Sequence, residues 1–320
     1  MREIVSVTGP VEPEALGFCQ CHEHLVLRKG ESFRHNPALC LDDLDKSLEE
    51  ARRYRAAGGV SLAEAQPVGC GRDARWLHDI SVGSGVGILA STGFHKLMFY
   101  PADHWLHRIS AEDLTRLFLE ELTEGMYLDG DGAARPRERT PWRAGLVKTA
   151  FDTEGLTPRY VRLFRAAAQA AQEADRVLMI HVENGTDPLP LLRQLLDWGV
   201  EPGRLMFCHM DRACADLALH RAVLEAGAWL EYDTIGRFKY HSDAREIEIL
   251  RAMLDAGYAD RILYSLDTTR ARLKSYAADA VGLDYILTVF NPLLREAGVP
   301  ETVIRKLSTD NPRRLFSGGA

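Results

Sequence analysis

The chain has 320 residues, 46% hydrophobic and 27% charged, with a net charge of −7. A globular composition of this length buries a full core, and the surplus of acid excludes nucleic acid or an anionic membrane surface as the main partner. No apolar stretch approaches the ~18 residues of a membrane span, and the opening MREIVSVTGPVEPEALG lacks a secretory signal, so the six scattered cysteines read as reduced thiols of a cytoplasmic protein.

In chain order, short runs rich in Val, Ile, Leu and Ala predict strands over 17–24, 60–66, 86–92, 144–150, 177–181, 205–209, 229–232 and 262–266. Amphipathic patterns between them predict helices, such as 41–57 and 159–173. Alternating strands and helices imply parallel strands with helical crossovers. Eight such units predict an α/β fold, a closed (β/α)8 TIM barrel forming one domain over 1–320, with the excess length in loops at 94–110 and 126–143. An open doubly wound sheet would place a Gly-rich phosphate turn after its first strand; here that strand ends in CHEHL.

The chemistry gathers at strand ends. His22 and His24 close the first strand, where alternation puts them on one face and Glu23 on the other. Two imidazoles so placed can chelate one divalent cation, though His-x-His alone is a weak signal. Lys148 lies inside the apolar AGLVKTAF. His181 ends LMIHVEN, His209 ends LMFCHM and Asp267 ends ILYSLD. These four are spaced by single or double barrel units, so five strands present polar groups at the same end, the active face of such a barrel. A lone strand-end histidine is more often a hydrogen-bonded core residue, and Asp267 before two threonines could be a helix cap. Neither reading explains six such residues in step with the barrel period.

Lys148 is the most informative of them. An unpaired lysine is costly to bury in an apolar strand. The chain holds only 7 lysines against 32 arginines, so a retained lysine suggests chemistry that arginine cannot supply. A desolvated amine is nucleophilic. It can form a Schiff base, or react with carbon dioxide to give a carbamate that bridges two metals. Nearby histidines favour the carbamate.

The order His-x-His, strand-four Lys, His, His, Asp resembles the phosphotriesterase family of the amidohydrolase superfamily. The segments VTGPVEPEALG…CHEHL, VKTA, CHMDR and TDNPRRLF resemble it too, over nearly the whole chain. The resemblance implies a binuclear centre at the C-terminal face of the strands. His22, His24 and Asp267 would hold the buried metal, and His181 and His209 the more exposed one. Lys148, as N6-carboxylysine, and a hydroxide would bridge them. Zinc is the default ion; manganese, cobalt and iron suit the same N/O ligands. Asp267 is then the catalytic proton acceptor. Asp211 either relays that proton or caps the next helix.

The loops decide the substrate. GFHKLMFYP and IGRFKY resemble the family's lactonase-type branch. Lys239 and Arg270 are expected to meet as an anion-binding corner, with His95 and Tyr100 lining the pocket. Leu273 departs from that pattern, since a complete anion pocket calls for a tyrosine near this position. The implied substrate is a small molecule: a sugar lactone, phosphorylated, otherwise anionic or plainly hydroxylated. Amide, carboxylester or phosphotriester hydrolysis on the same centre, and a non-catalytic ligand-binding barrel, are the alternatives. The reading admits a homodimer. Cys21 and Cys208, by alternation, are expected to face the helices.

Overall fold

A computed structural model describes residues 2–318. The N-terminus forms an antiparallel hairpin, β1 (Ile4–Ser6) and β2 (Gly9–Val11), paired from Ile4↔Val11 to Ser6↔Gly9. Three-residue strands carry no readable periodicity, and the sequence gives no warning of this hairpin.

Eight parallel strands then follow in order: β3 (Cys19–Glu23), β4 (Ser61–Glu64), β5 (Gly87–Gly93), β6 (Leu146–Phe151), β7 (Leu178–Val182), β8 (Leu205–Cys208), β9 (Trp229–Tyr232) and β10 (Ile262–Tyr264). Each pairs with its neighbour in sequence. The ends meet where the Asp267 amide donates to the His22 carbonyl at 3.1 Å. Glu23 reinforces the seam, accepting from the amides of Leu266 and Thr268. The result is the expected (β/α)8 barrel. The strands come from short, almost wholly buried runs, most of them rich in Leu, Ile, Val and Ala, that cannot face water on either side. The crossover helices come from amphipathic segments with polar caps; Asp43, for example, accepts from Lys46 N to start Leu44–Ala56.

Two cores follow from this closure. Val147, Ile180, Phe207 and Leu230 belong to the larger one, between barrel and helices. The smaller fills the barrel with Cys19, Cys21, Leu89, Leu146, Met179 and Met206, among others. Ile4 and Leu16 join it from the N-terminal segment and Leu315 and Phe316 from the last helix, Asn311–Ser317. The N-terminal face is therefore plugged with apolar side chains, and polar groups collect at the opposite face. Among the described residues no helix is long and apolar enough to cross a membrane.

Strict alternation fails at two strand ends. The pairing of β3 with β4 shifts between Gln20 and Glu23, so Cys21 and His22 both turn inward. At the end of β8, His209 has φ 64°. That left-handed residue swings its ring to the same side as Cys208. The expectation that Cys21 and Cys208 face the helices is thus corrected: both belong to the interior core, and Cys208 Sγ lies 3.4 Å from Glu231 Oε2. A non-glycine residue in this region costs about 1–3 kcal/mol. At His209 the site itself holds it, because the His209 amide donates to Asp233 Oδ2 at 3.1 Å.

Candidate metal centre

The C-terminal ends of β3, β7, β8 and β10 bring His22, His24, His181, His209 and Asp267 around one cavity floor, and Lys148, within β6, lies buried against His22. Nε2 of His22 and of His24 lie 3.7 and 3.5 Å from Asp267 Oδ1. Lys148 Nζ is 3.0 Å from His22 Nε2. His209 Nε2 faces His181 Nδ1 at 2.7 Å. One donor atom each from His22, His24 and Asp267 falls within 4.8 Å of the others, as a metal-ligand set requires.

A carboxylate stands behind every one of these histidines. Asp233 Oδ1 is 2.6 Å from His209 Nδ1, and its Oδ2 is 3.3 Å from His22 Nδ1. Glu64 Oε1 is 3.5 Å from His24 Nδ1. Glu183 Oε2 is 3.1 Å from His181 Nε2. The hydrogen-bonded pairs of His181 and His209 fix the ring and raise the basicity of its other nitrogen, the usual outer support of a metal-bound imidazole, while Nδ1 of His22 and of His24 lie near their carboxylates without a hydrogen bond. With their far nitrogens donating to carboxylates, His181 and His209 meet as two lone pairs. A cation between them relieves that contact. The residues present therefore fit a divalent metal centre.

The electrostatics agree. Burial, then Lys148, lowers His22 to about 3, keeping its ring neutral. Burial opposes charge on His24 as well, but Asp267 and Glu64 outweigh it and raise that ring to about 9. A metal must displace that proton. Burial also lowers Lys148, which is fully enclosed and has no carboxylate within ion-pair distance among the described residues. Burial works against the charge on Asp267, yet Arg237 and His24 hold its carboxyl well below the usual range. Arg212 donates to its Oδ2 at 3.1 Å, and Arg237 binds the same oxygen.

The cavity above has a volume of about 280 Å³. His95, Lys96, Arg212, Arg237, Lys239 and Tyr240 stand in its wall. Lys96 is paired with Glu183 at 2.7 Å. Lys239 lies over the Tyr240 ring and has no carboxylate partner among the described residues. Tyr100 sits one layer back, its hydroxyl accepting from the His95 amide. Arg270 is placed elsewhere. It lines a separate cavity with Lys29 and Tyr276 and donates to the Cys40 carbonyl. Leu273 is buried. Asp211 does not cap the next helix, Leu217–Glu225, whose cap is Asp216; it accepts from the Thr234 amide.

Asp233, Glu64, Glu183 and Arg212 escape the sequence reading. Asp233 was the most findable, since it follows β9 at the strand-end position that His209 occupies after β8. Because it serves two histidines at once, Asp233→Asn is expected to weaken metal binding by roughly 10- to 100-fold. Competition against a chromophoric chelator measures this; an unchanged affinity would remove Asp233 from the centre.

Comparison with known proteins places the whole chain in one family. The model of the phosphotriesterase family matches residues 2–316. The chain is 24% identical to a phospho-furanose lactonase of Mycoplasmopsis synoviae, covering 98% of this chain and 91% of that one. It is 29% identical to the phosphotriesterase homology protein of Escherichia coli, covering 94% and 98%. Among solved structures, a lactonase from Listeria monocytogenes superposes with a TM-score of 0.88 at 28% identity, covering 98% of both chains.

Proposed function

This chain belongs to the phosphotriesterase family of hydrolases, and from that premise we propose that it opens a sugar lactone bearing an anionic group, using two divalent metal ions. The observation that carries this reading is one cavity with two kinds of wall. Its floor holds the His22–His24–Asp267 donor set and the His181–His209 pair, with the buried Lys148 against His22. Its rim carries the unpaired cation Lys239 beside Arg237.

His22, His24 and Asp267 would hold one ion, and His181 and His209 the other, with carboxylated Lys148 shared between them. Zinc, manganese, cobalt or iron suits such N/O ligands. When bound, the ions lower the pKa of a shared water toward neutrality and polarise the substrate carbonyl. The chain's own residues do the rest. Asp267 accepts the proton of the attacking water and delivers it to the ring oxygen released on opening. Arg212 and Arg237 hold the Asp267 carboxylate in place before the reaction. Lys239 binds the anionic substituent, and His95, braced by the Tyr100 hydroxyl, lines the wall against which the ring lies.

A panel of neutral lactones, phosphorylated lactones, N-acyl amines, carboxylesters and phosphotriesters tests the proposal. The account expects the anionic lactones to have the highest kcat/KM. Preference for an amide or a triester would transfer the centre to that chemistry, and no turnover of any class by the metal-loaded protein would leave a ligand-binding barrel.

A further inference from the structure

A second cluster of metal-binding groups lies beside the centre and is not used by it. Asp211 stands in the short helix Met210–Ala213 that follows β8. His241 and Glu246 lie beyond β9, at the end of the loop bearing Arg237 and Lys239 and on the first turn of the helix Asp243–Asp255. One ligand atom from each of the three falls within 4.8 Å of the other two.

The polar atoms here are unsatisfied. Glu246 is 1% exposed, and neither of its carboxylate oxygens has a hydrogen-bond partner. Oδ1 of Asp211, itself 5% exposed, also has none. His241 Nε2 lies 3.3 Å from Glu246 Oε2 without the alignment of a hydrogen bond. Its Nδ1 is 3.2 Å from the Ser242 carbonyl. If Nδ1 donates there, Nε2 presents a lone pair to a carboxylate. Three acceptors turned toward one buried point are strongly destabilising unless a positive charge sits among them.

We propose that Asp211, His241 and Glu246 bind a further divalent transition-metal ion that ties the loop bearing Arg237 and Lys239 to the end of β8. Two carboxylates and an imidazole form an N/O set suited to Mn²⁺ or Zn²⁺. The ion acts by fixing the loop, because Asp211 belongs to the element after β8 while His241 and Glu246 belong to the loop's far end. It adds to the proposed hydrolase reading without depending on it.

The full-length chain is stripped of metal, titrated with Mn²⁺, and the bound ions are counted from the EPR signal of free Mn²⁺. Wild type is expected to bind one ion per chain more than either His241→Ala or Glu246→Gln. His241 is partly exposed on a loop, so its alanine variant reports even if the core variant fails to fold. The difference between wild type and variant is independent of how many ions the His22–Asp267 centre takes, so failure here is distinguishable from failure of that centre. Equal counts in wild type and His241→Ala would overturn the site and assign the positive charge to a proton shared within the cluster.

Discussion

Lys148→Ala is expected to lower kcat/KM by roughly 100-fold or more, beyond the 10- to 100-fold typical of outer-support residues around a metal, and to release part of the bound metal. Lys148 is fully buried, touches His22 Nε2 at 3.0 Å and Met179 Sδ at 3.6 Å, and has no anionic partner among the described residues. Burial outweighs the pull of Asp267, Asp233 and Glu231 on a charged ammonium there and lowers its pKa. The neutral amine can react with carbon dioxide, and the carbamate has two oxygens to offer. Removing it leaves a gap between the His22 and His181 sides of the floor. A short carboxylic acid in the buffer is expected to restore part of the activity by filling that gap. Lys148→Arg is not expected to restore it, because a guanidinium stays charged and resists carboxylation. Full activity in Lys148→Arg would refute the bridging role.

Lys239→Ala is expected to lower kcat/KM for an anionic lactone by roughly 10- to 150-fold, the equivalent of one charge-assisted hydrogen bond of about 1.5–3 kcal/mol. The matching neutral lactone should be turned over nearly as before. Lys239 is the cation suited to this, since Lys96 is held by Glu183, and Arg212 and Arg237 by Asp267. Arg270→Ala supplies the contrast. Its side chain lines a different cavity, so it should leave the preference for the anionic substrate intact. Equal losses on both lactones in Lys239→Ala, or a selective loss in Arg270→Ala, would move the anion site away from Lys239.

The legible parts of the fold were those governed by burial. Most of the barrel strands lie within or close to the apolar runs that announce them, because strands covered on both faces are largely apolar; β3, Cys19–Glu23, is the exception, carrying the buried polar Gln20, His22 and Glu23. Strand-end position then singles out His181, His209 and Asp267, since only the C-terminal face of a barrel is open, and a lysine inside an apolar strand singles out Lys148. The illegible parts depend on a single residue's backbone. The shift in β3 and the left-handed His209 reverse which side chains face inward, and a period-two argument cannot see either. Arg270 departs from expectation through a local turn as well. Position in the eighth loop is readable, but the turn Arg270–Arg272 sends the guanidinium toward Cys40 rather than the cavity. Asp233 and Glu64 went unread for another reason: a carboxylate behind a ligand leaves no spacing of its own.

Metal content measured on the purified full-length chain tests the central claim most directly. Elemental analysis after saturation with zinc, with His241→Ala as the background so that the neighbouring cluster is discounted, should give about two ions per chain. Chelation should abolish hydrolysis, and reloading should restore it. A value fixed at about one ion under saturating metal, or hydrolysis that survives complete removal of metal, would contradict the bridged centre.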